Sequence, residues 1–264
     1  MAEKEQLQRS GALDVRGSGC PVVFIHGLGG TLNVWEPQIR MLETCFKTIR
    51  YDLRGSGRHP ASEPLSMEVW IDDLGQLLDE LEVERAHFVG HSLGTLIVQH
   101  FVASFPQRAG SLALLGVNRS PPEARRASVR QRAEDVREYG VAAIVDSLID
   151  SALSPFTRER KPVTIAAIRE MICGQDVDGY AWTCEAMAAS RRPDLAGFSG
   201  RLLLISGADD NVSPVQISRA MAREYPTAEL RVLSECGHWI QLEQAESVNE
   251  ALHAFLKDPY VTVA

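Results

Sequence analysis

The chain has 264 residues, enough for one large domain with a substantial core, and its hydrophobic fraction of 45% is typical of globular proteins. Its net charge of −8 argues against a nucleic-acid partner, because binding to phosphate backbones depends on clustered positive charge. No run is apolar enough to cross a membrane, and the first residues lack the apolar core of an export signal, so we expect neither membrane association nor export.

Strand-like and helix-like patterns alternate along the chain, which is typical of the α/β class with a mostly parallel central sheet flanked by helices. Strands are predicted over residues 13–16, 22–25, 47–51, 87–89, 111–115, 201–205 and 230–233. Helices are predicted over residues 93–104, 214–225 and 245–256, and another begins near Ser66. Between the fifth and sixth strands the apolar spacing is helical, and no strand is predicted there.

The most informative stretch is Gly-His-Ser-Leu-Gly at 90–94, which lies between a predicted strand and a predicted helix. A Gly-x-Ser-x-Gly turn in this position indicates a nucleophile elbow, whose strained backbone presents the serine hydroxyl above the sheet. Because the helix begins at the serine, the N–H of Leu93 faces any negative charge that develops on a substrate. Ser92 is therefore the predicted nucleophile.

A serine hydroxyl needs a histidine to accept its proton and a carboxylate to orient that histidine. His238 lies on a loop just after the last predicted strand, where a catalytic base is expected. The loop after the strand at 201–205 carries two adjacent carboxylates, Asp209 and Asp210, and one of them should hold His238. The chain order is therefore Ser, Asp, His, which differs from the order in other serine-hydrolase folds.

These residues resemble the α/β-hydrolase superfamily, and the resemblance covers residues 22–256. It implies an α/β-hydrolase fold with a helical cap, and the spacing Gly-x-x-Asp-x-x-x-Pro makes Asp210 the acid. It also implies that His-Gly-Leu-Gly-Gly at 26–30 is an oxyanion loop, so that the N–H of Leu28 would join that of Leu93 as a second oxyanion donor.

Two loops after early strands carry glycines. Gly27, Gly29 and Gly30 are expected to let the backbone approach a ligand closely and to take positive φ. The stretch Asp-Leu-Arg-Gly-Ser-Gly at 52–57 resembles the family's Asp-x-Arg-Gly-x-Gly loop. We interpret this second loop as structural support, with Arg54 paired to Asp52 or to nearby carbonyl groups.

The predicted organisation is a hydrolase core over residues 1–117, a helical cap over 118–195 and the rest of the core over 196–264. In the superfamily such a cap covers the active site and restricts water. Cap stretches at 160–163, 168–171, 178–181 and 184–186 look like those of 3-oxoadipate enol-lactonases, which hydrolyse a small anionic enol-lactone. This resemblance implies substrate contacts from the cap.

Candidate substrate-binding residues follow from these resemblances. They are Gly27, Trp182, Arg191, Arg192 and Trp239, and the two arginines near the end of the cap are the best placed in sequence to reach an anionic group. The basic residues at the start of the cap are interleaved with acidic ones, so we expect most of them to be solvated surface charges. These residues are Arg119, Arg125, Arg126, Arg130 and Arg132.

The five cysteines are scattered and have no metal-ligand spacing, so they are predicted to be reduced thiols of a cytoplasmic protein. Cys236 lies two residues before His238 and is an alternative nucleophile, although it has no elbow. No cluster of histidines and carboxylates at metal spacing is present in the sequence, so neither a metal nor a cofactor is expected. No pattern indicates an oligomeric state.

Together these features predict a serine esterase or lactonase that acts on a small molecule. Ser92 would attack the carbonyl, His238 would remove the serine proton, and Asp210 would fix the imidazole tautomer. A C–C bond hydrolase of ring-cleavage products or a cofactor-free perhydrolase would keep the same triad. A non-catalytic ligand-binding protein of this fold is the remaining alternative, and it is disfavoured because a binding protein has no need to retain a strained serine.

Overall fold

The computed structural model describes residues 3–257 and is built around a central sheet. Its strands are β1 (Leu13–Arg16), β2 (Pro21–Ile25), β3 (Lys47–Tyr51), β4 (Ala86–His91), β5 (Ala109–Leu115), β6 (Arg201–Gly207) and β7 (Glu229–Leu233). They are hydrogen-bonded in the order β1-β3-β2-β4-β5-β6-β7. Strand β1 is antiparallel to β3, and the other neighbouring strands are parallel.

Helices flank this sheet. In the described residues they are α1 (Glu3–Ser10), α2 (Glu36–Leu42), α3 (Met67–Glu80), α4 (Leu93–Ser104), α5 (Glu123–Tyr139), α6 (Val145–Ala152), α7 (Pro155–Arg160), α8 (Pro162–Cys173), α9 (Val177–Ala189), α10 (Val215–Glu224), α11 (Ile240–Glu243) and α12 (Ala245–Leu256). The α/β class with a mostly parallel sheet is thereby confirmed.

All the predicted strands are confirmed, several of them longer by one to three residues. The predicted helix near Ser66 is α3, and the Ser66 hydroxyl accepts a hydrogen bond from the N–H of Val69 at 3.4 Å, as an N-cap residue does. Helices α1, α2 and α11 were not predicted. They are short, and α1 is mostly polar, so none of them presents a long apolar stripe that a sequence pattern could reveal.

The topology brings the predicted site residues to one edge of the sheet. Every residue of β4 and β5 is buried, because helices cover both faces of these central strands. The carboxyl ends of parallel strands meet at the same edge, and ligands bind there in α/β proteins. The loops after β2, β4, β6 and β7 carry Leu28, Ser92, Asp210 and His238, respectively.

The chain between β5 and β6 contains the segment predicted to be a cap, residues 118–195, which is called the cap below. Residues 116–200 are all described, and they contain the helices α5 to α9 without any strand. Helix α5 packs along α9. The domain limits at 117/118 and 195/196 stay a prediction. No helix within residues 3–257 is long and apolar enough to cross a membrane.

Candidate active site

The turn between β4 and α4 holds Ser92 in a backbone conformation that side chains rarely adopt, with φ 51° and ψ −113°. Its N–H donates a hydrogen bond to the carbonyl oxygen of Leu115 at 3.0 Å. Gly90 and Gly94 have no room for a side chain, because a Cβ on Gly94 would overlap the carbonyl oxygen of Ile25, and one on Gly90 would lie 2.7 Å from that of Gly94. The turn therefore has the backbone geometry of a nucleophile elbow.

Ser92, His238 and Asp210 lie in a hydrogen-bonded line. The distance between Ser92 Oγ and His238 Nε2 is 2.8 Å, and that between His238 Nδ1 and Asp210 Oδ2 is 2.9 Å. All three side chains are buried. Asp209 is exposed and does not take part, so of the two adjacent carboxylates it is Asp210 that contacts the histidine.

The second oxygen of Asp210 is held by the loop that follows it. Asp210 Oδ1 accepts hydrogen bonds from the N–H groups of Val212 at 2.8 Å and Ser213 at 2.7 Å. Burial raises the pKa of Asp210, but the facing His238 and these two amides outweigh it, so the pKa lies below its ordinary value. An ionised Asp210 accepts a hydrogen bond from the Nδ1–H of His238 and so leaves Nε2 free to accept the Ser92 proton.

A buried carboxylate organises the loop that carries the histidine. Glu243 Oε2 accepts hydrogen bonds from the N–H groups of Gly237 at 3.0 Å and Ser154 at 2.9 Å, and its Oε1 accepts one from Trp239 at 3.1 Å. Glu243 thus joins both neighbours of His238 to the cap. Sequence reasoning missed this residue, because a glutamate five positions after a histidine has no distinctive pattern.

His91 supports His238 from behind. We assign its Nε2–H as the donor to the backbone carbonyl of His238 at 2.8 Å, and the two imidazole rings lie 5.0 Å apart. Burial, followed by the charge of His238, lowers the pKa of His91 to about 3, so His91 is neutral at physiological pH. Its hydrogen bond goes to the His238 backbone and not to Ser92, although His91 also lines the cavity that Ser92 lines.

The loop after β2 brings Leu28 to the cavity, opposite the start of α4. Leu93 occupies the first position of that helix, where an N–H has no acceptor within the helix. Within residues 3–257 no hydrogen bond donated by the N–H of Leu28 or Leu93 is present. These two amides are therefore available to a ligand, although their role as oxyanion donors stays a prediction.

His26 and the glycines shape this loop. His26 Nε2 accepts a hydrogen bond from the N–H of Leu53 at 3.0 Å, which leaves Nδ1–H to donate to the carbonyl oxygen of Gly27 at 2.9 Å. Of the three glycines at 27, 29 and 30, Gly29 alone has positive φ (76°), so the expectation of positive φ at Gly27 and Gly30 is wrong. Gly27 is needed for space instead, because a Cβ there would lie 2.9 Å from that of Ser92.

The Asp-x-Arg-Gly-x-Gly loop is held by hydrogen bonds and an ion pair with residues outside the triad. Asp52 accepts hydrogen bonds from the N–H groups of Leu32 at 2.6 Å and Arg58 at 2.9 Å. Arg54 forms a bidentate pair with Asp73, at 2.9 and 2.6 Å, a partner that was not among those expected from the sequence. The loop thus joins the chain after β3 to α3 and to the loop after β2, which is a supporting role.

A cavity of about 700 Å³ lies above the triad, between the core and the cap. Ser92, His238 and Trp239 line it, so Trp239 is placed as the sequence predicted. Trp182 of α9, the other predicted aromatic contact, does not line the cavity, because its side chain is half-buried against the hydrophobic core.

The arginines are the main correction to the predicted binding residues. Arg191 and Arg192 are exposed and do not line the cavity, and Arg192 pairs with Glu224 at 2.5 Å. By contrast, Arg119, Arg125 and Arg132 line it, although most of the five basic residues at the start of the cap were expected to be surface charges. Arg119 lies before α5, whereas Arg125 and Arg132 lie on the face of α5 that is turned toward the cavity. The alternation of acidic and basic residues did not reveal that face.

The other two of the five arginines at the start of the cap behave differently from these three. Arg126 is held by the backbone, since its guanidinium donates hydrogen bonds to the carbonyl oxygens of Ala188 and Ser190. Arg130 is exposed, as predicted, and pairs with Glu123 at 3.2 Å.

The thiol alternative is disfavoured by the surroundings of Cys236. Its side chain is fully buried, and the Sγ lies 3.7 Å from the carbonyl oxygen of Gly237. Burial, followed by the charge of Glu243, raises its pKa well above the ordinary value, which suppresses the reactive thiolate. Within residues 3–257 no group of three or more metal-ligating side chains is found.

Comparison with known proteins agrees with this architecture. Residues 21–154 match a family model described as alpha/beta hydrolase fold. The chain belongs to that family. Residues 171–263 match a second model, described as TAP-like protein.

Similar proteins have related activities. The chain is 31% identical to 3-oxoadipate enol-lactonase 2 of Acinetobacter baylyi, over 89% of this chain and 88% of that protein. Among solved structures it is similar to a thermophilic esterase from Thermogutta terrifontis, with a TM-score of 0.88, 29% identity and coverage of 93% and 92%. It is also similar to the enol-lactonase from Burkholderia xenovorans LB400, with a TM-score of 0.86, 27% identity and coverage of 93% and 96%. The resemblance to enol-lactonases is thereby confirmed.

Proposed function

We propose that this protein is a serine hydrolase that cleaves a small carboxylic ester or lactone through an acyl-enzyme. The proposal is carried by one observation, the line from Ser92 Oγ through His238 to Asp210 at the base of a cavity of about 700 Å³. A cavity of this size suits a small molecule. The similarity to two enol-lactonases and an esterase supports the same reaction class.

In the first half-reaction, Ser92 Oγ attacks the carbonyl carbon while His238 Nε2 takes the hydroxyl proton. The carbonyl oxygen gains the negative charge, and we place it against the N–H groups of Leu28 and Leu93. As the oxyanion collapses, the bond to the leaving oxygen breaks, and His238 gives its proton to that oxygen. A lactone remains one molecule at this stage, because its leaving oxygen is tethered to the acyl group.

In the second half-reaction, a water molecule gives a proton to His238 and attacks the acyl carbon. Collapse of the second tetrahedral intermediate releases the carboxylic acid and returns the proton to Ser92. Asp210 stays ionised throughout and stabilises the imidazolium form of His238. Loss of one oxyanion donor typically costs about 3 kcal/mol of transition-state stabilisation, whereas loss of the serine costs about 10⁶-fold in rate.

Covalent labelling tests the proposed nucleophile. A fluorophosphonate probe should modify the protein stoichiometrically at Ser92, and the Ser92→Ala variant should neither react nor hydrolyse p-nitrophenyl esters. Ser151 is the matched control, because it also lines the cavity but its hydroxyl donates to the carbonyl oxygen of Leu148 at 3.2 Å. Ser151→Ala should keep the label. Labelling that survives in Ser92→Ala would reject the assignment.

The substrate is best sought with three groups of compounds: short esters, small lactones including 3-oxoadipate enol-lactone, and ring-cleavage dienoates. We expect esters or lactones to be turned over best. Preferential cleavage of a dienoate would favour the C–C hydrolase that shares this triad, and an inert protein that binds ligands without labelling would favour a sensor. If 3-oxoadipate enol-lactone is no better than an acetate ester, that substrate is excluded.

A further inference from the structure

The loop that carries His238 joins β7 to α11 over residues 234–239 and contains neither helix nor strand. We call it the histidine loop. Its backbone groups need partners from elsewhere in the chain, because no secondary structure satisfies them. The N–H of His238 donates to the carbonyl oxygen of Ala152 at 2.6 Å, and the carbonyl oxygen of Cys236 accepts from the N–H of Asp209 at 2.9 Å. The histidine backbone is thus held by segments that are distant in the chain.

The cap lies directly against the histidine loop where α6 ends and α7 begins. A Cβ on Gly237 would lie 2.4 Å from the carbonyl oxygen of Ala152 and 2.6 Å from the nitrogen of Ser154, so only glycine permits this approach. The hydroxyl of Ser154 donates to the carbonyl oxygen of Glu235 at 3.0 Å. Ala152 also lines the cavity. The part of the cap that bounds the cavity is therefore continuous with the part that holds the histidine loop.

The carboxylate of Glu243 is fully buried, and among residues 3–257 it forms no ion pair with an arginine, lysine or histidine. The ammonium group of Lys161 donates to the backbone carbonyl of Glu243 instead. A buried carboxylate is costly unless its oxygens are hydrogen-bonded, and here the bonds come from the N–H groups of Ser154, Gly237 and Trp239. A glutamine could not accept from all of these groups, because its amino group would face an N–H. The site therefore requires a carboxylate.

We propose that Glu243 and Ser154 are positioning residues, through which the cap sets the place of the His238 imidazole. This inference rests on the hydrolase function proposed for Ser92. Among the described residues, neither side chain has a hydrogen bond with a side chain of the triad, so both act through the backbone of the histidine loop. Proton transfer from Ser92 to His238 depends on their separation of 2.8 Å, so a small shift of this loop slows the reaction without removing a reacting group.

The Glu243→Gln variant tests the carboxylate. With p-nitrophenyl acetate as substrate, kcat per folded site should fall about tenfold to hundredfold, because a displacement of about 1 Å can cost about a hundredfold in rate. KM should change by less than about twofold, since Glu243 does not line the cavity. Fluorophosphonate labelling of Ser92 should slow by a factor similar to that for kcat, because it also needs His238. Glu250→Gln is the matched control at an exposed position of α12 and should keep the wild-type values. A folded Glu243→Gln protein with the wild-type kcat would overturn the proposal.

A pair of serine variants separates positioning from stability. Ser154 and Ser66 are the N-cap residues of α7 and α3, and each side chain accepts a hydrogen bond from the N–H three residues later. Replacement by alanine should therefore lower the free energy of unfolding by similar amounts. Only Ser154 is bonded to the histidine loop, so only Ser154→Ala should lower kcat, by at least about threefold. Equal kcat values in the two variants would overturn the part assigned to the cap and, if Glu243→Gln does not fold, the whole proposal.

NMR of isotope-labelled histidine separates this inference from the hydrolase proposal. The Nδ1–H of His238, which is bonded to Asp210, should exchange faster with water in Glu243→Gln than in the wild-type protein or in Glu250→Gln. If Ser92 is labelled and needed for turnover but Glu243→Gln changes neither kcat nor this exchange, the hydrolase function stands and the positioning role fails. If the exchange is faster but Ser92 is neither labelled nor needed for turnover, the positioning role stands and the hydrolase proposal fails.

Discussion

The strained backbone of Ser92 predicts an unusual order of stability between two inactive variants. Its φ of 51° and ψ of −113° are accessible to glycine but costly for a residue with a Cβ. Ser92→Ala keeps the Cβ and therefore the strain, whereas Ser92→Gly removes both. Each variant loses the hydrogen bond between Ser92 Oγ and His238 Nε2, so the difference between them isolates the backbone term.

The expected difference follows from two opposing contributions. Strain of this kind costs about 1–3 kcal/mol, and its release favours the glycine variant. Glycine also loses more backbone entropy on folding, which costs about 0.5–1 kcal/mol relative to alanine. Taking the middle of each range, we expect Ser92→Gly to have a free energy of unfolding about 1 kcal/mol higher than that of Ser92→Ala.

Equilibrium unfolding in urea measures this difference, provided that the two variants have the same m-value. Ser128 supplies the matched control, because it is exposed in the interior of α5, where the backbone is unstrained. There the order should be reversed, with Ser128→Ala more stable than Ser128→Gly by about 1 kcal/mol. A Ser92→Gly variant that is no more stable than Ser92→Ala would refute the strain argument.

Two further predictions concern stability. Burial lowers the pKa of His87 to about 4 and that of His91 to about 3, so below pH 6.5 the unfolded state binds protons before the folded state does. Each histidine should therefore lower the free energy of unfolding by about 2 kcal/mol at pH 5. In urea titrations at pH 7 and pH 5, His87→Gln should remove the part of this loss that is due to His87. Gly94→Ala should prevent folding, because the added Cβ would overlap the backbone of Ile25. Gly75→Ala in α3 is the control: its Cβ would lie 3.9 Å from Phe101, and the change should raise the melting temperature. A well-folded Gly94→Ala protein would contradict the packing argument.

Much of the fold and the triad could be predicted from local patterns. The strands were found because buried parallel strands appear as short apolar runs, and the elbow because only small residues can flank Ser92 where the backbone is this tight. His238 and Asp210 were found because each follows a strand on the side where parallel strands end together. The apolar runs, the elbow and the two loop residues are each recognised from residues close to them in the chain, so no knowledge of the tertiary structure was needed.

The lining of the cavity was decided by tertiary structure. Arg191 and Arg192 were favoured from their position in the chain, but α5 turns Arg125 and Arg132 inward instead. A helix that is polar all round gives no sign of which face will be covered, because that depends on how it packs against its neighbours. The role of Glu243 was also not predictable from the sequence, because its three amide partners come from two separate segments that meet only in the folded protein.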